Sequence, residues 1–239
     1  MTVSLSALQL RAIVLDIEGT TTPIDFVYTV LFPFARAHAG EFLRREAESS
    51  ACRSAIEGLL LEQIEDRSHG LQPPAPLVEY IEWLMDADRK SPGLKALQGL
   101  VWQEGYRSGE LRGRVYPDVA PAFKRWRSRG LDIHIYSSGS VLAQQLLFAS
   151  TEAGDLTAYL SGYFDTTVGP KTSASSYRAI AEKVRVPAAG ILFVSDVVAE
   201  LDAAEGAGLH TSLCVRGGDA GPLPAATHPI VRTFDEIAD

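Results

Sequence analysis

The sequence predicts an α/β fold: a parallel, three-layer, Rossmann-like sheet core carrying an inserted α-helical cap. Three observations predict it. Short apolar runs end abruptly in polar or glycine-rich turns, helical patterns alternate with those runs in the second half, and residues 22–116 carry no convincing strand. A strand covered on both faces reads as a continuous apolar run, because neither face meets water. Alternation of such strands with helices requires right-handed crossovers, which put helices on both sides of a parallel sheet.

In chain order, Ala12-Ile13-Val14-Leu15 is the first buried strand and ends in Asp16, with Gly19 close behind. Residues 22–116 then read as a helical insert with helices over 26–42, 51–67, 76–87 and 95–105, punctuated by Pro73-Pro74 and Ser91-Pro92-Gly93. The expected division is therefore a core of 1–21 and 117–239 with a cap of 22–116. After Pro117-Asp118, which suits an N-cap, a helix over 119–129 leads to the strand 131–136 and to Ser137-Ser138-Gly139. Ser140 precedes a helix over 141–149, and a weaker strand over 163–168 runs into Gly169-Pro170-Lys171. A helix over 175–184 leads to the strand 190–194, which closes on Ser195-Asp196. The last pair is a helix over 198–207 ending at Gly208 and a strand over 211–215 running into Arg216-Gly217-Gly218.

The bulk composition narrows the function. With 239 residues, 46% of them hydrophobic, the chain can bury a large core without a disulfide staple. Its two cysteines, Cys52 and Cys214, lie far apart and no secretory pattern precedes them, so a reducing, cytoplasmic setting is expected. No apolar run approaches the roughly 20 residues of a membrane span. A net charge of −8 disfavours a nucleic-acid or anionic-membrane partner, but a small anionic substrate remains compatible where local cations override the global field. A monomer is the default expectation. The five histidines are scattered without metal-ligand spacing, and His134, inside an apolar strand, reads as a satisfied core residue.

In an open parallel sheet, ligands bind beyond the carboxyl ends of the strands, so polar residues that close buried strands are the candidates. Here they are Asp16, Ser137, Ser138 and Asp196, with Lys171 in the loop after the weak strand. In Asp16-Ile17-Glu18-Gly19-Thr20, two carboxylates share one strand end. One can attack phosphorus and the other can exchange a proton with the leaving oxygen. Gly19 permits a tight turn, and Thr20 can offer a hydroxyl or an amide to the phosphate. Ser137 and Ser138 open a helix, where free amides favour anions, although simple capping would need a single serine. Lys171 can pair with a phosphate as a point charge, or merely solvate a surface. Asp196 closes the most apolar strand, where a carboxylate is costly unless paired or bound to metal. Asp16 and Asp196 together suit Mg²⁺, which keeps several waters and takes one or two carboxylates. Glu200, a helical turn further on, either orients ligands or faces solvent.

The ordered set Asp-x-Glu, Ser-Ser, Lys, Asp, each at a strand end, resembles the haloacid-dehalogenase-like phosphatase superfamily. Within it, LDIEGTTTPI (15–24), IYSSGSVLAQQLL (135–147), KTSASSYRAI (171–180) and Ser195-Asp196-Val197 resemble the enolase-phosphatases, or acireductone synthases, of methionine salvage. That resemblance implies enolisation and dephosphorylation of 2,3-diketo-5-methylthiopentyl-1-phosphate to the acireductone. It also implies Asp16 as nucleophile and ligand of one Mg²⁺, Glu18 as acid/base with its backbone carbonyl on the metal, and Asp196 as the remaining protein ligand. Thr20, Ser137, Ser138 and Lys171 would hold the substrate. Aromatic residues of the cap (Phe26, Tyr28, Phe32, Trp83, Trp102) would either line a pocket for the methylthio tail or pack the insert. The superfamily usually has Asp two residues after the nucleophile, and Glu18 departs from that while agreeing with the enolase-phosphatases. The base for enolisation stays open between a carboxylate near the diketone and a metal-polarised carbonyl with water. Three other readings share these motifs: a phosphatase for another ester, a dehalogenase that needs no Mg²⁺, and a binding module that has kept the fold.

Overall fold

The computed structural model describes residues 3–217 and 227–238, and the chain forms two compact units, residues 1–24 with 112–239 and residues 25–111. Gly218, at the expected end of the last turn, lies outside the described residues. The strands are β1 (Val3–Ser4), β2 (Ala12–Leu15), β3 (Asp132–Tyr136), β4 (Gly162–Phe164), β5 (Ile191–Ser195), β6 (His210–Cys214), β7 (Ile230–Val231) and β8 (Ile237–Ala238). Six of them form one sheet in the order β4-β3-β2-β5-β6-β7, while β1 pairs with β8. All these ladders are parallel. The all-apolar β2 takes the centre, where its four residues have no exposure. Leu15 pairs with Ile135 on one side and Val194 on the other, which brings the carboxyl ends of β2, β3 and β5 to one edge. The chain steps outward from β2 to β3 and β4 and then crosses back to β5 on the other side of β2, so this edge is the topological switch point.

The helices are α1 (Ile24–Phe26), α2 (Phe32–Glu46), α3 (Ser50–Ser68), α4 (Leu77–Asp86), α5 (Pro92–Ser108), α6 (Val119–Ser128), α7 (Val141–Ala149), α8 (Ala174–Val184) and α9 (Val198–Glu205). One face of the sheet buries Ala12, Val14, Tyr136 and Phe193 with Tyr177, Ile180 and Leu201 from α8 and α9. From α6 and α7, the mutually tilted rings of Phe123, Trp126 and Phe148 join Phe234 in a second aromatic core.

Four local expectations are corrected. The strand expected over 163–168 stops at Phe164, because Asp165 Oδ1 accepts from the Thr167 amide (2.9 Å) and hydroxyl (2.5 Å) and turns the chain into a 3₁₀ segment. The helix expected over 26–42 is interrupted by a π-helical turn, Val27–Leu31, in which the Phe32 amide bonds Val27 O. Pro33 follows and cannot supply the normal helical donor. Asp118 precedes α6 without capping it; its Oδ2 accepts instead from Arg216 Nη1 (2.6 Å) and from the Phe234 amide (2.5 Å). His134 is buried with no hydrogen-bond partner for either ring nitrogen. Burial pushes its pKa down, so the neutral ring sits against Phe164 at 5.7 Å.

In the helical unit, Leu59, Tyr80, Ile81, Leu84 and Leu97 form the centre of a separate core. Of the aromatic residues singled out there, Phe26 is buried, Trp83 packs between Tyr80 and the Arg89 guanidinium, and Trp102 donates to Leu31 O at 2.8 Å. Tyr28 and Phe32 border a cavity of about 300 Å³ with Met85, Leu94 and Gln98. Cys52 and Cys214 are both free and buried. Among the described residues, no helix is long and apolar enough to cross a membrane.

Candidate active site

The loop after β2 turns back at once. Its Ile17 carbonyl accepts from the amides of Thr20 (3.2 Å), Thr21 (2.9 Å) and Thr22 (2.9 Å), and Gly19 adopts φ +70°. A β-carbon at Gly19 would fall inside the Asp196 carboxylate, so only glycine lets the loop and the end of β5 approach this closely. Asp16 is 3% exposed. The expectation for Thr20 divides: its amide is committed to Ile17, whereas its buried hydroxyl has no partner. The Thr20 carbonyl accepts two bonds from Arg216, at 2.9 Å from Nε and 2.7 Å from Nη2. That guanidinium lies 4.4 Å from the rings of both Tyr116 and Phe234. Sequence reasoning gave Arg216 only a turn.

Lys171 is far from a surface lysine. Its side chain is 10% exposed, and Nζ lies 2.5 Å from Asp16 Oδ1 and 2.7 Å from Glu200 Oε2. Glu200, in the first turn of α9, is buried and also accepts from Ser195 Oγ at 2.9 Å. The ambiguity over Glu200 thus resolves away from solvent. Ser195, missed as a site residue, braces the same corner by accepting from the Val197 amide at 3.1 Å. The three serines after β3 separate cleanly. Ser140 caps α7 by accepting from the Ala143 amide, Ser137 is buried and donates to Glu18 Oε2 at 3.4 Å, and Ser138 is exposed.

Four carboxylates, those of Asp16, Glu18, Asp196 and Glu200, therefore share the field of the Lys171 ammonium. The imbalance registers in their acidities. Burial, then the Asp16 charge, raises Glu18 and Glu200 above the ordinary carboxylate range. The same two causes push Asp196 up to about 6. Burial alone would lower Lys171, but the Asp16 and Glu200 carboxylates outweigh it and hold the ammonium charged. Among the described residues no three Asp, Glu, His or Cys side chains form a metal cage. The Asp16 and Asp196 carboxylates, near enough for Asp16 to raise Asp196 and in surplus negative charge, suit a hard cation that retains water rather than a closed site.

Comparison with known proteins places the whole chain in a family. Residues 10–208 match the model of a hydrolase family described as haloacid dehalogenase-like hydrolase. A protein named enolase-phosphatase E1 from Synechococcus elongatus is 47% identical over 233 residues, covering 95% of this chain and 98% of its own. A second of that name, from Klebsiella oxytoca, is 48% identical over 231 residues, covering 95% and 96%. Among solved structures, the UTR4 protein of Saccharomyces cerevisiae is 35% identical, with a TM-score of 0.77 over 95% of this chain and 99% of that one.

Proposed function

Because the chain belongs to the haloacid dehalogenase-like hydrolases, and within them to the enolase-phosphatases, we propose that it converts 2,3-diketo-5-methylthiopentyl-1-phosphate to the acireductone and phosphate. The observation that carries this reading is 47–48% identity, over 95% of the chain, with proteins named enolase-phosphatase E1. Asp16 attacks phosphorus in line and takes the phosphoryl group as an aspartyl phosphate, while Glu18 gives its proton to the departing oxygen. Glu18, its pKa raised by burial and by Asp16, carries that proton to higher pH than an ordinary glutamate. It then takes a proton from the water that cleaves the acyl phosphate and regenerates Asp16. Lys171 offsets charge on the transferring oxygens, and Ser137 orients Glu18 and the substrate phosphate together with Ser138 and the Thr20 hydroxyl. The helical unit serves as the cap that selects substrate.

The Asp16 and Asp196 carboxylates, with the Glu18 backbone carbonyl, would hold one Mg²⁺ per chain. The surplus of buried carboxylates supports the fit. When bound, the ion supplies positive charge to the phosphoryl oxygens. A readout independent of turnover follows. A raised carboxylate binds its proton more tightly in the folded than in the unfolded state, so its ionisation destabilises the fold as pH rises through the folded pKa. With Asp196 at about 6, metal-free protein should gain from this site as pH falls from 8 to 5. Mg²⁺ should raise the melting temperature by several degrees at pH 7.5, because a hundredfold excess over Kd contributes about 2.7 kcal/mol. The gain should shrink to about half at pH 5, where protons compete for the Asp196 oxygens. Calorimetry giving equal shifts at both pH values would sink this assignment.

The direct test is an anaerobic assay of the purified protein with the diketone phosphate and Mg²⁺, following enediol absorbance and phosphate release together. Both signals should appear and should disappear with a chelator. Hydrolysis of simple phosphoesters alone would leave the Asp16 chemistry and remove the methionine-salvage substrate. Activity that survives the chelator would point to displacement at carbon.

A further inference from the structure

We propose that Tyr136, Ser176 and Tyr177 form a hydroxyl clamp that positions Lys171 by holding three consecutive backbone carbonyls of the loop that carries it. Tyr136 Oη donates to Gly169 O at 2.9 Å, Ser176 Oγ to Pro170 O at 2.8 Å, and Tyr177 Oη to Lys171 O at 2.7 Å. All three side chains are wholly buried. The clamp rests on the reading above, in which Lys171 meets the phosphoryl group.

Apart from these bonds, the loop is held by short-range backbone contacts, such as the Gly169 amide on Thr166 O at 3.2 Å. It follows the 3₁₀ turn Thr166–Val168 and precedes α8, and carbonyls in such a connection commonly face water. Here each bonds to a rigid part of the core. The Tyr136 and Tyr177 rings meet edge to face at 5.5 Å, and Tyr177 packs on Phe193 of β5 at 4.9 Å. The backbone is shaped to accept the clamp: Gly169 has φ +133°, and a β-carbon there would strike the Ser176 side chain. Pro170 restricts the next φ, and its carbonyl also accepts from the Ser173 amide at 3.0 Å. With the Lys171 carbonyl fixed, its flexible four-carbon stem starts from one defined point and ends between Asp16 and Glu200. A misplacement of about 1 Å in a group that acts in the transition state can cost about a hundredfold.

Tyr177→Phe and Tyr136→Phe delete single hydroxyls and keep the packed rings. Steady-state turnover of the diketone phosphate by Tyr177→Phe should show kcat lowered between about 10- and 100-fold with KM close to wild type. Its melting temperature should stay within a few degrees of wild type. In a Lys171→Met background, the same substitution should change kcat by less than about twofold, because its effect runs through the lysine. A kcat within twofold of wild type, or an equal loss in both backgrounds, overturns the clamp. Should Tyr177→Phe melt far below wild type, Tyr136→Phe carries the same comparison. Wild-type turnover by Lys171→Met alone would overturn the reading on which the clamp rests, and the clamp with it.

Discussion

Replacing Asp16 by asparagine is expected to abolish phosphate release while leaving the fold intact. An amide cannot form the acyl phosphate, so kcat should fall by between about 10⁴ and 10⁶, the range seen when a unit of catalytic residues loses one member. The fold should survive for two reasons. The Asp16 backbone belongs to the central ladder through its amide bond to Val194 O at 3.0 Å, and that bond does not involve the carboxylate. The Asp16 charge also raises Glu18, Asp196 and Glu200, so its removal relieves repulsion, and Lys171 keeps Glu200 at 2.7 Å. Turnover and thermal melting measured on one preparation separate lost chemistry from lost structure. Wild-type turnover in this variant would move the nucleophile elsewhere.

What could be read in advance follows from where each residue's partners lie. The runs that became β2 and β5 were legible because a strand covered on both faces is almost wholly apolar, β3 and β6 could be read despite His134, Thr211 and Ser212 from their bounding turns, and the polar ends of β2, β3 and β5 pointed to Asp16, Ser137 and Asp196. The two-residue strands β1, β7 and β8 carry no pattern of their own, since they exist only through pairing with distant backbone. Arg216 escaped notice for a related reason: its carbonyl partner, Thr20, is 196 positions away in the chain. Tyr136 and Tyr177 look like core aromatics in sequence and are core aromatics in fact; only the coordinates reveal that their hydroxyls point at the Lys171 loop. Glu200 stood one helical turn from Asp196, a spacing equally suited to the site and to solvent until the Lys171 ammonium appeared beside it.

Lys171→Ala should lower kcat by about 10²–10³, or about 2.7–4 kcal/mol of transition-state stabilisation, as for loss of one preorganised donor. It should also destabilise the protein, and the two effects have different pH signatures. In the wild type the lysine is the ammonium between two buried carboxylates, with side-chain exposures of 10% for Lys171 and 4% for Asp16. Removing one partner of such a buried pair leaves uncompensated charge and costs about 3–5 kcal/mol. Lys171 holds Glu18 and Glu200 down against burial and Asp16, so in its absence both should rise further. A carboxylate raised in the folded state contributes stability that is present at low pH and lost as pH rises through its folded pKa. The melting-temperature deficit of Lys171→Ala should therefore be larger at pH 7.5 than at pH 5.5, whereas the loss in kcat should persist at both. A tenfold or smaller loss in kcat, accompanied by the pH-dependent deficit, would reduce Lys171 to a charge that keeps the carboxylate cluster folded. A large loss in kcat that persists at pH 5.5, where the deficit has narrowed, points to chemistry, because a purely structural cost would shrink as those carboxylates take up protons.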